Sequence, residues 1–503
     1  MNNLQKIREF MNEQGLNYLL VNSTNKYLVE YTPLQENSRY ALTGFSGSTG
    51  DALVTPDTVY LFVDGRYHIQ ADLEVDHDIV TVMKLQTGQI FLDELIKKIP
   101  EGEVLGIFSK KNSQKRVEYL QEKGVELRFL KDDPLDNNIE YDSSNIVPVE
   151  GVSVEEKIKN IEDTILITNL EEVSYLFNLR DFSKNYSSKI QSKAVIINGR
   201  ARLIDDIDDF VECYNGKIGV DKSTINAYDF VLIGDKAKVL KDSPVKLMKS
   251  VKTDDEIAHY KEAFRRTDLA VKAIRDYIEN NDNISEFDIA EQLEKEFKRY
   301  GAKSLSFKSI VAKDKNSALA HYSKCSKDEI LKDGSLVLID CGAYYEQGLA
   351  TDITRVFVKG EPSELQKKVY TTVLKMFLNA YNAKLSTGYE IDALAREVYS
   401  QNEIDGFVFN HGLGHGIGIN VHEYPPNLSK NEMAKVEIKD GMCFTIEPGL
   451  YNEAHFGVRL ENSCYMKDGK INSFVKMNYE KKLIDFSLLT QQEKEWLKEF
   501  EVL

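Results

Sequence analysis

Cysteine is scarce in this chain: there are five among 503 residues, Cys213, Cys325, Cys341, Cys443 and Cys464, and no two form a C-x-x-C pair. That sparse, odd set excludes a disulfide framework and a zinc-finger site and leaves reduced, mostly buried thiols as the expectation. Long apolar runs are missing as well, since no segment approaches the roughly 18 apolar residues that a bilayer crossing needs. The opening Met-Asn-Asn-Leu-Gln-Lys-Ile-Arg-Glu-Phe carries charged and amide groups where a secretory leader needs an unbroken apolar stretch, which points to a cytoplasmic protein. Positive charge is in deficit: Lys+Arg 64 against Asp+Glu 81 gives a formal charge of −17. A field of that sign repels phosphate backbones and anionic lipid, so neither nucleic acid nor a membrane is an expected partner, whereas small or cationic ligands are admitted. What is present, 42% hydrophobic and 29% charged residues, is the composition of a folded chain, with a length suited to roughly three domains.

The chain opens with Leu4, Ile7, Phe10 and Met11 on one helical face, a stop at Gly15, and a buried strand over Leu16 to Val21. A second copy of this theme starts at Ser153, which forms a capping box with Glu156 ahead of Ile158 and Ile161, and reaches a strand over Ile165 to Thr168. Both copies continue into a hairpin. The first runs through Ala52 to Thr55 and Val59 to Asp64, the second from Ala194 through the Asn198-Gly199 turn to Ile204. Two related α/β domains are therefore expected, over residues 1–147 and 148–248. The polar stretch Lys131 to Asn145 serves as the exposed connection, and a break falls around Lys241 to Lys252. A capping box at Thr253 and Glu256, followed by Ile257, Tyr260, Ala263 and Phe264, opens a third domain over 249–503.

Three clusters in that last domain carry chemistry. The apolar strand Leu336 to Ile339 ends in Asp340, turns around Glu346 and returns through Thr351 to Phe357 with Asp352 on it. With the turn centred on Glu346, the two aspartates face one another, and their repulsion calls for a shared proton, a basic partner or a bound metal. The second cluster, Asn410 to Glu423, places three of the eight histidines, His411, His415 and His422, among Gly412, Gly414, Gly416 and Gly418. So many glycines argue against a helix and for close backbone packing and unusual dihedrals around converging imidazoles. The third is an acidic hairpin, Met442 to Glu447 out to Pro448-Gly449, and Gly457 to Asn462 back. Alternation there sets Arg459 beside Glu461, where it can fix the orientation of that carboxylate without binding metal itself. Asp340, Asp352, His415, Glu447 and Glu461 together suit two hard or borderline divalent ions, Mn²⁺ first, with Co²⁺, Zn²⁺ and Fe²⁺ as alternatives.

From about residue 250 onward these motifs resemble the pita-bread metallopeptidases, the family of methionine aminopeptidase, prolidase, aminopeptidase P and creatinase. The D-G-R-Y at Asp64 to Tyr67, the stretch Leu176 to Arg180, and the H-G-x-G-H-G-I-G and V-H-E patterns look most like the three-domain cytosolic aminopeptidase P type. The fold implied is α/β (α+β), two creatinase-like N-terminal domains ahead of a pita-bread catalytic domain. Carried over by position, Asp340 would chelate one metal, Asp352 and Glu461 would bridge both, and His415 and Glu447 would complete the shell. His321 and His422 would contact the substrate or the tetrahedral intermediate, and His411 would shape the pocket for proline. Asp340 to Asp352 is one residue longer than the usual hairpin.

The activity implied is release of the N-terminal residue from peptides with proline in second position. A hydroxide bridging the two metals would attack, and Glu447 would carry the proton to the proline nitrogen. A homodimer is also implied. Prolidase, which needs a cation for the carboxylate of a dipeptide, is the nearest alternative. A non-catalytic binding module and a dinuclear phosphoesterase are the readings from other classes.

Overall fold

The structure, a computed structural model, describes residues 3–86, 88–137, 139, 141–322 and 324–500. Positions 1 and 2 of the N-terminal reading and 138 and 140 of the polar connection lie outside the described residues. The chain divides into two compact units, Met1–Ser144 with Val152–Phe177 and Ile190–Pro244, and Asn145–Gly151 with Asn178–Lys189 and Val245–Leu503. Among the described residues, no helix is long and apolar enough to cross a membrane.

The first unit contains two sheets built on one pattern. The helix Asn3–Glu13 buries Leu4, Ile7 and Met11, stops where Gly15 takes φ 61°, and feeds the strand Tyr18–Val21. That strand pairs antiparallel with Ala52–Val54 and parallel with Val104–Phe108, and the sheet extends outward through Val59–Val63 and Val80–Lys84 on one side and Glu126–Leu130 on the other. The second sheet repeats this around Ile165–Ile167, antiparallel to Lys193–Ile197 and parallel to Ile218–Asp221, with Arg200–Ile204 and Ala237–Leu240 outermost. The Ser153 hydroxyl accepts the Glu156 N–H to start its helix, and Asn198 and Gly199, both at positive φ, close its hairpin.

The second unit packs long helices against antiparallel sheets. Thr253 and Glu256 form the reciprocal capping box that opens the helix Asp254–Asn280, whose buried face includes Ile257, Tyr260, Ala263 and Phe264. A three-stranded sheet, Ile310–Lys313, Leu336–Cys341 and Ile353–Val358, carries the first acidic hairpin. A five-stranded sheet, in the order Glu423–Leu428, Gly414–Gly416, Cys443–Ile446, Asn462–Lys467 and Lys470–Ser473, carries the histidine segment and the second hairpin. The helix Glu364–Tyr381 joins them into one core, with Val369, Val373 and Phe377 packed among Leu338, Val356, Phe444 and Val458. Cys341, Cys443 and Cys464 are buried and unpaired, Cys325 is partly buried and Cys213 is exposed.

Candidate metal centre

The first hairpin has a different register from the one expected. Asp340 pairs with Thr354, and the Tyr344–Ala350 bridge continues the same ladder, so the turn centres on Gln347 and not on Glu346. The Gly348 N–H donates to the Tyr345 carbonyl with Gly348 at φ 63°, a conformation that glycine adopts without penalty. Asp352 thus lies diagonal to Asp340, an even number of residues along, so the pair still shares one face. In the second hairpin Ile446 pairs with Asn462 and Gly449 with Arg459, and the register between them sets Glu447 opposite Glu461.

Glycine brings His415 against these carboxylates by close approach. A Cβ on Gly414 would sit 2.0 Å from the Thr445 carbonyl oxygen, one on Gly416 2.4 Å from the Glu423 carbonyl oxygen, and one on Gly418 2.1 Å from Glu423 Oε1. None of the four interleaved glycines adopts a positive φ, so the expected unusual dihedrals are not what the segment uses. It forms the short strand Gly414–Gly416 and a loop leading to the strand Glu423–Leu428.

The sequence-predicted ligands converge. Ligand atoms of Asp352, His415 and Glu461 all lie within 4.8 Å of one another. His415 Nε2 is 3.6 Å from Asp352 Oδ2 and 3.5 Å from Glu447 Oε1. The other ring nitrogen, Nδ1, is 3.1 Å from the Gly416 carbonyl, which can only accept, so Nδ1 carries the proton and Nε2 offers its lone pair to the cluster. Asp340 enters through Arg459, whose Nη2 donates to Asp340 Oδ2 at 2.6 Å. Asp340 Oδ1, Asp352 Oδ1 and Glu461 Oε1 are each buried without a hydrogen-bond partner. Oxygen donors left unsatisfied around an imidazole lone pair fit a hard or borderline divalent cation. Burial, reinforced by the charges of neighbouring carboxylates, pushes Asp352 and Glu461 well above the ordinary carboxylate range.

Arg459 acts on a different carboxylate from the one expected. It bonds Asp340 and approaches Glu447 Oε2 at 3.9 Å, while Glu461 is held by the Thr354 hydroxyl, which donates to its Oε2 at 2.7 Å. Alternation along one strand showed which side Arg459 takes, but not that its guanidinium would reach across to the neighbouring hairpin. Arg459 Nε also donates to Thr354 Oγ1 at 3.2 Å, so that one hydroxyl links the arginine to Glu461. Arg355, fully buried, donates to the Glu461 and Met477 carbonyls and fastens the two hairpins together.

The other histidines take distinct places. The His411 Nδ1–H donates to the Gly412 carbonyl at 2.7 Å, so its Nε2, 3.0 Å from the Tyr451 hydroxyl, accepts that proton. The Tyr451 oxygen in turn accepts from Arg459 Nη1 at 2.8 Å, which completes a chain from His411 to Asp340. Burial pushes the Tyr451 phenol up to about 12, so it stays a donor at neutral pH. The His422 ring stands edge-on to His415 with centroids 4.4 Å apart. His321 lies half-buried in a turn after the 3₁₀ helix Asp314–Ala318. That turn is pinned by buried Glu286, which accepts from the Tyr322 hydroxyl, Asn316 Nδ2 and the Lys313 and Ser326 N–H groups. Sequence reasoning missed Thr354 and Tyr451. Thr354 stands two residues beyond Asp352 on the same strand face, a usable signal, whereas Tyr451 shows itself only through contacts distant in sequence.

Residues 258–468 match metallopeptidase family M24, and residues 3–135 match the creatinase/prolidase N-terminal domain. The C-terminal part of the chain thus carries a peptidase M24 domain, which follows a creatinase-type N-terminal domain. Among similar proteins, a probable Xaa-Pro aminopeptidase P of Coprinopsis cinerea is 29% identical over 99% of this chain and 93% of its own length. Xaa-Pro aminopeptidase 1 of Dictyostelium discoideum is 27% identical over 99% of this chain and 91% of its own. The structure of an X-prolyl aminopeptidase from Caenorhabditis elegans, described as a cytosolic enzyme with a di-nuclear active site, superposes with a TM-score of 0.89. It covers 99% of this chain and 94% of its own at 22% identity, and so shares the pita-bread fold.

Proposed function

We propose that this chain is a cytoplasmic, homodimeric Xaa-Pro aminopeptidase that holds two divalent ions, Mn²⁺ in the cell, and removes the first residue of peptides with proline second. The observation that carries the reading is the convergence of Asp352, His415 and Glu461, with unsatisfied carboxylate oxygens, inside an M24 domain. Asp340, Asp352, His415, Glu447 and Glu461 are the assigned ligands. The domains are assigned as 1–147, 148–248 and 249–503, and the shared strand pattern of the two N-terminal sheets supports treating both as creatinase-like.

Bound divalent ions would supply a nucleophilic water near neutral pH and polarise the scissile carbonyl. The remaining work belongs to side chains. Glu447, whose side chain is 19% exposed while those of Asp352 and Asp340 are 6% and 13%, is the carboxylate most open to substrate. It takes the proton from the attacking water and delivers it to the proline nitrogen, a tertiary amide nitrogen that must be protonated to leave. His422 and His321 donate to the oxygen that gains charge in the tetrahedral intermediate. His411, held between Gly412 and Tyr451, lines the proline pocket, and the acidic cluster attracts the free α-amino group, which limits attack to the first bond.

The test is hydrolysis of an X-Pro-Pro tripeptide and an X-Pro dipeptide with Mn²⁺ added or chelated, beside Asp340→Ala. Metal-dependent release from the tripeptide, lost in the variant, is the expected result. Cleavage of the dipeptide alone would mean prolidase, and absence of both cleavages with Mn²⁺ bound would mean a binding role.

A further inference from the structure

The loop that presents His422 runs from Ile417 to His422, and its shape is set by a buried lysine–amide pair. Lys189 Nζ donates to Asn420 Oδ1 at 2.7 Å, and Asn420 Nδ2 donates to the His422 carbonyl at 2.9 Å. Lys189 is 6% exposed and Asn420 5%. An ammonium can only donate and a carbonyl can only accept, so the two partners together allow one orientation of the Asn420 amide. Burying an ammonium is costly, and here its position dictates which end of the amide faces His422.

Neighbouring bonds hold the loop at further points. The Ser188 hydroxyl reaches the Gly348 carbonyl at 2.7 Å and the Ile419 carbonyl at 3.3 Å, which ties the loop to the turn between Asp340 and Asp352. On its far side the Ile419 N–H donates to Glu423 Oε1 at 3.0 Å, and Glu423 is paired with Lys252 at 2.7 Å and Lys249 at 3.2 Å. The segment Asn178–Lys189, which in sequence lies between the helix Leu170–Phe177 and the strand Lys193–Ile197 of the other unit, thus supplies the Ser188 and Lys189 contacts to this loop.

We propose that Lys189 and Asn420 are a positioning pair that sets the His422 ring against His415, and through it the reach of His422 to the substrate. The proposal rests on the aminopeptidase reading only for what His422 does, not for how it is held.

The test uses full-length protein labelled with [¹³Cε1]histidine and loaded with Zn²⁺, which keeps the spectrum diamagnetic, with His422→Asn to identify the His422 signal. Asn420→Asp keeps the acceptor for Lys189 but sets an oxygen against the His422 carbonyl. Lys189→Met removes the donor and keeps the stem. Both variants are expected to displace the His422 signal and, with Mn²⁺ and an X-Pro-Pro tripeptide, to lower kcat by about 10- to 100-fold, the scale of a misplaced catalytic group. Mn²⁺ affinity by calorimetry should stay near that of the unaltered chain, because neither residue belongs to the proposed ligand set. An unmoved His422 signal in both variants, each melting cooperatively, would overturn the proposal. If the unaltered chain cleaves no X-Pro peptide, the aminopeptidase reading fails, and the His422 signal alone decides the positioning role.

Discussion

A single hydroxyl, that of Thr354, determines how two of the charged groups in the cluster are oriented. It donates to Glu461 Oε2 and accepts from Arg459 Nε, so it holds a proposed ligand carboxylate and the arginine that steadies Asp340. Thr354→Val keeps the shape and removes both bonds. Outer partners of ligands commonly contribute this much, so the variant is expected to bind Mn²⁺ about 10- to 100-fold more weakly, read by isothermal titration calorimetry. Tyr451→Phe tests the other arm. It cuts the link between His411 and Arg459 without touching a proposed ligand, so kcat/KM on a proline tripeptide should fall while Mn²⁺ affinity changes less than in Thr354→Val. An equal loss of metal affinity in both would refute the division of labour drawn here. Of the five proposed ligands, Asp340, Asp352, Glu447 and Glu461 were legible because each stands at an end of an apolar strand, and His415 because it falls in a dense cluster of histidines and glycines. The target of Arg459 was not, because a guanidinium that reaches across hairpins 119 residues apart leaves no local pattern.

At the level of elements, caps and alternation carried most of the information. Ser153, Thr253 and the Asn198-Gly199 turn act where the sequence places them, since each is a short-range preference of the backbone. The first acidic hairpin shifted by one position at its centre because the turn closes on Gly348, and a register depends on the turn residue as much as on the alternation around it. The histidine segment is irregular for a steric reason: its glycines give room to backbone and to the Glu423 carboxylate. Gly414→Ala, which drives a methyl against the Thr445 carbonyl, is expected to cost more than about 3 kcal/mol in urea unfolding, a size reserved for enforced strain or cavities. Glu423 itself supports a pH prediction. Burial works to raise its pKa, but Lys249 and Lys252 outweigh burial and hold it at about 2. The folded value lies below the unfolded one of about 4.3, so this stabilisation is complete above that pH and fades as pH falls from there toward 2. Glu423→Gln leaves two buried ammonium groups unneutralised and should cost about 3–5 kcal/mol at pH 7. The difference in melting temperature between it and the unaltered chain should narrow below pH 4.5, and a constant gap would show that the ion pairs are not its source.

Over the whole molecule acid is in excess, −17 in formal charge, and Asp340, Asp352, Glu447 and Glu461 bring four carboxylates together at one site. The echo of helix, strand and hairpin was readable in the sequence as two α/β copies, and five strands of each sheet follow one order because each copy repeats the same local preferences, the first sheet adding Val80–Lys84 at its edge. What the sequence could not express is the free energy of bringing four carboxylates together, which exists only in the folded state. Without cations, burial first and neighbouring charge second raise Asp352 and Glu461 well above their unfolded values. A carboxyl raised by folding binds more protons folded than unfolded between its unfolded and its folded value, so the stability of the metal-free chain must fall as pH rises through that interval. A divalent cation reverses the sign locally: it favours the ionised carboxylates and stabilises the folded form in proportion to its occupancy. The gain in melting temperature on adding Mn²⁺ to chelator-treated protein should therefore grow from pH 5 to pH 8 in differential scanning calorimetry. Asp352→Asn, which removes one of the raised carboxyls, should flatten the pH dependence of the metal-free chain and lower the gain from Mn²⁺. A Mn²⁺ gain that is independent of pH in the unaltered chain would mean that the cation is bound elsewhere than at these carboxylates.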